Sequence, residues 1–341
     1  MAIRSADRTL AAVQHGVLVL SLFALCGGCR QGSLPSSSGM WEVAPDEVRL
    51  SELVSENAPH LSKPELAAKV QQIALEARHR AIDVLRNRLA GFGVSGGTVR
   101  EAEGTGIMLE LPQMSDQARR ELDANLLRVG WLEVRMVHEW NRELVDKLLA
   151  QSLPPEGYKV TRLDKETLYT RDDSARMAGV PEASARERLG RFRIPDSSCE
   201  FMLEEVRVAG ATAFRPWFVK RRRELTGESI KDAQVLTNDR GEHIISVMFD
   251  ARGSKRLAMM IADYSPCGAR NPSPTSSRYM AIVVDGEICS VQAIQGMILG
   301  GRAALIVSGH FDEARARSLA ILLRAGALPV PLRTVHKRRA K

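Results

Sequence analysis

Apolar residues recur at helical spacing through residues 63–89, at Leu66, Val70, Ile73, Ala77, Ala81, Val84 and Leu85, and Gly91 and Gly93 then end the run. This stripe predicts one long amphipathic helix with a single buried face. Past the glycines the period changes to two. Residues 98–103 and 107–111 read as strands around the turn Gly104-Thr105-Gly106. Ser115 caps a second helix bearing Leu122, Leu126 and Val129, Gly130 closes it, and residues 131–137 alternate Leu132, Val134 and Met136 as a strand. The order helix, strand, strand, helix, strand predicts an α+β sandwich with two helices on one face of an antiparallel sheet. It is one strand short of a ferredoxin-like unit, and the missing strand is expected from residues 41–43 or 331–335.

Residues 138–224 carry the weakest periodicity. Residues 141–151 look helical, Pro154-Pro155-Glu156-Gly157-Tyr158 is a turn, and residues 201–208 are candidates to pair with 213–219. Beyond them the pattern sharpens. Strands are expected at 233–237 and 244–249 around Asp239-Arg240-Gly241, followed by a helix capped by Asp250 with Leu257, Met260, Ile261 and Tyr264 on one side. Residues 279–284 and 287–293 flank Asp285-Gly286, a hairpin signal. A strand at 305–308 and a helix from Glu313 complete a second, separate α+β layer. Asp312 caps that helix, Ala316, Leu319, Ala320 and Leu323 line it, and Gly326 with Pro329 stops it.

The N-terminus changes the picture. Arg4 and Arg8 precede an apolar run at 16–25 that ends in Cys26-Gly27-Gly28-Cys29. Ten or so apolar residues are too few to span a bilayer, which takes about 20, so this is expected to be an export signal. Small residues before Cys29 resemble a bacterial lipoprotein cleavage box, with Cys29 as the lipidated first residue of the mature chain. Cys26 stands where such boxes prefer leucine, and an ordinary secretion signal or uncleaved anchor is the alternative. Residues 31–64 are rich in Ser, Pro and Gly and read as a tether. Of the other cysteines, Cys199, Cys267 and Cys289, a Cys267–Cys289 pair and buried free thiols are both open.

With 44% hydrophobic and 26% charged residues the 341-residue chain is globular and long enough for more than one core. A net charge of +7 suits an anionic surface, yet no nucleic-acid motif accompanies it. Lys220-Arg221-Arg222-Arg223 and the basic end from His336 read as solvated charge, the latter as a frayed tail. Gly91-x-Gly93-x-x-Gly96 and Gly93-x-Ser95-x-Gly97 imitate a dinucleotide fingerprint and a nucleophile elbow. Both need a strand before and a helix after, the reverse of the order here. His138 lacks the second histidine of a zinc-peptidase helix. No enzyme, cofactor or metal site is expected; a hydrolase acting through Ser95 is the outlying reading.

The chain contains, in order, Ala81-Ile82-Asp83-Val84-Leu85-Arg86-Asn87-Arg88-Leu89, Phe92-Gly93-Val94-Ser95, Leu109-Glu110-Leu111-Pro112, Leu132-Glu133-Val134-Arg135, Leu225-Thr226-Gly227-Glu228, Lys231-Asp232-Ala233, Ala281-Ile282-Val283-Val284-Asp285-Gly286-Glu287-Ile288, Gly300-Gly301 and Leu323-Arg324-Ala325-Gly326-Ala327-Leu328-Pro329. Together these segments resemble the large periplasmic domain of SecD, the accessory membrane subunit of the Sec protein translocase. The resemblance covers residues 65–140 and 216–332. The N-terminal pattern gives a lipoprotein-type signal peptide at 1–28 and a flexible tether at 29–64; the resemblance adds a base subdomain at 65–140, a divergent connecting segment at 141–224, a head subdomain at 225–326, and a return strand with a basic tail at 327–341. It also implies a periplasmic module that rocks between head and base while contacting unfolded secretory preprotein. The family's Gly-Leu-Asp-Leu-x-Gly-Gly segment is absent, a lipoprotein-type signal stands in place of its first membrane helix, and intramembrane charges that would couple proton flow to motion are not found.

The expectation is therefore a lipid-anchored protein of the bacterial envelope, on the periplasmic face of a membrane. Its partners would be unfolded preprotein, the Sec translocase membrane subunits and, through the anchor, lipid, but no nucleic acid. Flexible thioethers at Met248, Met259, Met260, Met280 and Met297 suit either promiscuous apolar binding or core filling. Met280, Ile288, Met297 and Ile298 are the candidate polypeptide contacts. The alternative is an envelope binding lipoprotein that reuses the fold for an unrelated ligand.

Overall fold

A computed structural model describes residues 39–150, 154–155, 157–163, 166–172, 196, 198–271, 275–294 and 304–339. In chain order its elements begin β1 (Gly39–Pro45), α1 (Glu47–Asn57), α2 (Lys63–Gly91), β2 (Thr98–Glu101), β3 (Ile107–Leu111), α3 (Asp116–Asn125), β4 (Leu132–Val137), α4 (Asn141–Leu149), β5 (Tyr158–Leu163) and β6 (Glu166–Arg171). They continue β7 (Cys199–Val208), β8 (Ala211–Thr226), β9 (Ile230–Thr237), β10 (His243–Phe249), α5 (Ala251–Tyr264), β11 (Arg278–Val284), β12 (Glu287–Ile294), β13 (Ala304–Phe311), α6 (Glu313–Ala325) and β14 (Leu332–Arg339). The mixture of helix and sheet is that of an α+β protein. It divides into two compact units, one made of the residues through Trp131 with those from Arg317 on, the other of Leu132–Ala316.

The first unit holds an antiparallel sheet in the order β14-β1-β3-β2. Both candidates for the missing strand are used, side by side. β1 alternates buried and half-buried positions with Trp41 and Val43 inward, so the tether expected over 29–64 is already strand and helix from Gly39. The basic end is likewise no frayed tail: its backbone pairs with β1 as far as Arg339. α2 starts in a capping box, in which Glu65 Oε2 accepts from the Ser62 amide at 2.9 Å and its hydroxyl at 2.7 Å. Its apolar stripe, from Val70 to Leu89, packs with Trp41, Leu109, Leu122 and Leu328 in one core. Arg88, fully buried, donates to the carbonyls of Leu126 (2.8 Å), Val129 (2.9 Å) and Gly326 (3.1 Å) and to that of Arg128. One guanidinium thus satisfies the chain ends left open where α3 and α6 stop.

The second unit contains two sheets. The larger has the order β4-β11-β12-β7-β8-β6-β5 with an added β4–β8 pairing, so β4, β11, β12, β7 and β8 close into a ring. The strand that the sequence order put in the first sandwich at 131–137 is therefore not in its sheet: it is β4, which pairs with β11 on one side and β8 on the other. A strand with both ladder sides occupied has no edge left to give to β3. Val137, Met202, Val219, Ala281, Val283 and Ile288 form a core of the ring. β7 and β8 pair, as the sequence suggested for 201–208 and 213–219, with Phe201 opposite Phe218 and Val206 opposite Ala213. The smaller sheet has the order β13-β10-β9. The second layer expected from the sequence is thus split, since the β11–β12 hairpin joins the ring. Its turn has the positive φ values the Asp-Gly pair supplies, 52° at Asp285 and 83° at Gly286.

Candidate functional site

The three-stranded sheet has one closed face and one open face, and the alternation of its strands decides which side chains lie on each. Ala233, Ile245, Val247, Phe249, Leu305 and Val307 are buried, on the side where α5 lies against β10. Asp250 caps α5, its Oδ1 accepting from the Gly253 amide at 2.7 Å, and Leu257, Met260, Ile261 and Tyr264 are the buried positions of the helix. Only glycine fits at 253, where a Cβ would lie 2.5 Å from Cβ of Ser229 and 2.9 Å from Cβ of Phe249. The alternate residues form the open face: Leu236 is 44% exposed, Met248 40% and Ile306 37%, with Ile244 half-buried among them. Gln234, Ser246 and Ser308 share this face, so apolar and hydrogen-bonding groups interleave.

Of the candidates named from the sequence, Met280 and Ile288 lie on β11 and β12 rather than on this sheet. Met280 and Ile288 are each 7% exposed, Ile288 within the core of the ring. Cys29, Met297 and Ile298 lie outside the described residues. Of the other methionines in this stretch, Met248 and Met259 are exposed and Met260 is buried. No disulfide joins Cys199, Cys267 and Cys289. Ser95 is exposed in the loop between α2 and β2, beside a cleft of about 270 Å³ that Phe92, Met114 and Glu121 help to line. The loop runs helix to strand, as the sequence order requires, and its positive φ values at Gly93 (72°) and Gly96 (81°) are those of a glycine-rich helix stop.

Two polar clusters in the second unit were not legible from motifs. In the first, Glu139 receives Arg278 at 2.8 Å and also Lys220, from the basic run. Burial pushes the Glu139 carboxyl up, but hydrogen bonds from Lys220, its own backbone and Arg278 more than offset this and bring it to about 2. A carboxyl held below its ordinary value of 4.5 contributes stability above that pH and loses it as pH falls through about 2. Glu139→Gln is therefore expected to flatten the acid loss of stability across that window, read as urea midpoints against pH. An unchanged acid limb would contradict it.

The second cluster brings ligand-type atoms of His138, Asp196 and Cys199 within 4.8 Å of one another. Such a set has the chemistry for a zinc-like ion. The hydrogen bonds point another way. His138 Nδ1 accepts the Trp140 amide at 3.1 Å, which leaves the ring proton on Nε2, 3.4 Å from Asp196 Oδ2. A metal-binding histidine instead donates from its second nitrogen. Burial also pushes the Cys199 thiol up, keeping it protonated and inert. The cluster reads as an internal hydrogen-bonded group.

Comparison with known proteins agrees with this architecture. Residues 203–330 match the SecDF P1 head subdomain. The protein translocase subunit SecD of Magnetococcus marinus is 28% identical over 301 residues, covering 88% of this chain and 46% of that protein. SecD of Endomicrobium trichonymphae is 28% identical over 267 residues, covering 77% and 47%. The fold resembles a crystal structure of SecDF in its super-membrane-facing form, with a TM-score of 0.52 at 18% identity over 98% of this chain and 35% of that one. A second SecDF structure, from work describing a membrane component that enhances protein export, gives 0.50 at 19% identity over 89% of this chain and all of that chain.

These matches and the α+β fold make the chain SecD-like, with a match to the head subdomain at residues 203–330. It spans just under half the length of these two SecD relatives. No helix among the described residues is long and apolar enough to cross a membrane.

Proposed function

We propose that this protein is a SecD-like accessory of protein export, facing the periplasm, that holds unfolded polypeptide in transit on the open face of its three-stranded sheet. The carrying observation is that face: Leu236, Met248 and Ile306 are exposed together inside the head match, on a sheet whose other side is filled. Half-exposed apolar side chains interleaved with Gln and Ser offer contact to many sequences and tight fit to none. Weak, general affinity is what a chain that must move on requires. Met297 and Ile298 belong to the same proposed contact, and Met280 and Ile288 would support it as core. Titrating the purified protein into a fluorescently labelled, permanently unfolded secretory polypeptide should give saturable anisotropy with micromolar affinity, and the same polypeptide locked in its folded form should not bind. Equal binding to both forms would contradict the reading.

The anchor and the partners complete the proposal. Cys29 would carry lipid, two or more acyl chains giving a durable hold at about 0.8 kcal/mol per buried CH₂, and would place the domain beside Sec translocase membrane subunits. Cys29→Ser should abolish incorporation of labelled palmitate and move the protein from the membrane to the soluble fraction. Retained palmitate would remove Cys29 from the account.

A further inference from the structure

The smaller sheet has two outer strands, and its backbone hydrogen bonds decide which can accept another. At the β9–β10 turn the Asn238 amide donates to the Glu242 carbonyl at 3.0 Å. Counting along the ladder in steps of two makes Leu236/Ile244, Gln234/Ser246 and Asp232/Met248 the hydrogen-bonded pairs. The amides and carbonyls of Thr237, Val235 and Ala233 then point away from β10, up to the register shift between Met248 and Phe249 that leaves Lys231 as the extra residue. Two further observations agree. The Ala233 amide is taken by Asp232 Oδ1 at 2.8 Å, a bond within β9 itself. Across the sheet, the same alternation turns the Ile306 carbonyl outward, where Gln292 Nε2 donates to it at 2.6 Å and to Ser308 Oγ at 3.1 Å. The β13 edge is thus occupied by a side chain from β12, whereas among the described residues β9 keeps its row of outward groups with Asp232 alone bonded to it.

We infer that β9 is the acceptor strand for the unfolded polypeptide: an extended segment adds as a fourth strand, pairing its backbone with Val235 and Thr237. This rests on the polypeptide-binding reading above and locates it. Backbone pairing is indifferent to sequence, and the added strand's alternate side chains would extend the open face beside Leu236. Asp232 is the counterweight. Its carboxylate, held by Gln234 Nε2 at 2.7 Å, competes for the Ala233 amide and puts charge on an edge that would otherwise pair with a second copy of the chain.

The test uses the whole protein and a labelled twelve-residue peptide from an unfolded secretory polypeptide, with a twin N-methylated at alternate residues to remove donors while keeping side chains. The unmodified peptide should bind at least about tenfold more tightly than its twin. Asp232→Ala should tighten binding several-fold. Val235→Pro, which removes an outward amide and no ladder bond, should abolish binding with an unchanged thermal midpoint. Equal affinity of the two peptides, unaffected by Val235→Pro, would overturn the edge and leave polypeptide binding by the open face standing. Binding of neither peptide would overturn both.

Discussion

Arg135→Met is expected to destabilise the second unit by about 3–5 kcal/mol, the range for breaking a buried ion pair from one side. Arg135 is fully buried on β4, with Nη1 2.7 Å from Glu200 Oε2 and 3.7 Å from Glu133 Oε2, and Nε donating to the Lys220 carbonyl at 2.8 Å. Removing it leaves Glu200, 4% exposed, without its cation. Arg223 still pairs with Glu133, so the loss falls mainly on Glu200. Arg135→Met with Glu200→Met should therefore recover most of the stability, since a buried pair exchanged for apolar side chains of similar size is often neutral. Urea unfolding measures both effects. The buried Cys199 thiol serves as a local reporter, because alkylation there requires the unit to open. A single-variant loss below about 1 kcal/mol would show that the network carries no such weight.

The second large effect is on function. Changing Met248 and Ile306 together to aspartate should weaken binding of unfolded polypeptide by tenfold or more, with the thermal midpoint unchanged. Neither side chain is core: both stand more than a third exposed on the open face, while their strand neighbours Val247, Leu305 and Val307 carry the packing. A half-covered apolar contact contributes about 1 kcal/mol, and 1.4 kcal/mol is a factor of ten in affinity, so two losses and two added charges exceed that factor. Met280→Asp is the control with the opposite signature, because a charge at a site 7% exposed should unfold the protein. Undiminished binding by the open-face double variant would place the contact elsewhere.

Much of this architecture could be read from local pattern. The 29-residue α2, the aspartate caps at 250 and 312, the Asp285-Gly286 turn and the β7–β8 pairing all follow from spacing and capping chemistry. What could not be read depends on partners far away in sequence. Leu132, Val134 and Met136 alternate with Glu133 and Arg135, the pattern of a half-solvated strand. β4 is nevertheless buried at every position, because Glu200 and Arg223, 65 and 90 residues on, neutralise its charged face. The same limit applied to the candidate contacts. Met280 and Ile288 lie on a hairpin whose turn was plain, but which of its faces meets protein depends on ring closure by β4 and β8. The open face was visible only as scattered Met and Ile until the register of β9, β10 and β13 set Leu236, Met248 and Ile306 on one side.

The most direct test of the central claim is photocrosslinking in living cells from a probe at Ile306 during a pulse of secretory protein synthesis, with adducts identified by mass spectrometry. The account predicts adducts to several unrelated exported polypeptides that disappear when export is blocked, with Sec channel subunits beside them. A single defined envelope partner, unchanged by the block, would contradict it and favour a binding lipoprotein that reuses the SecD-type fold.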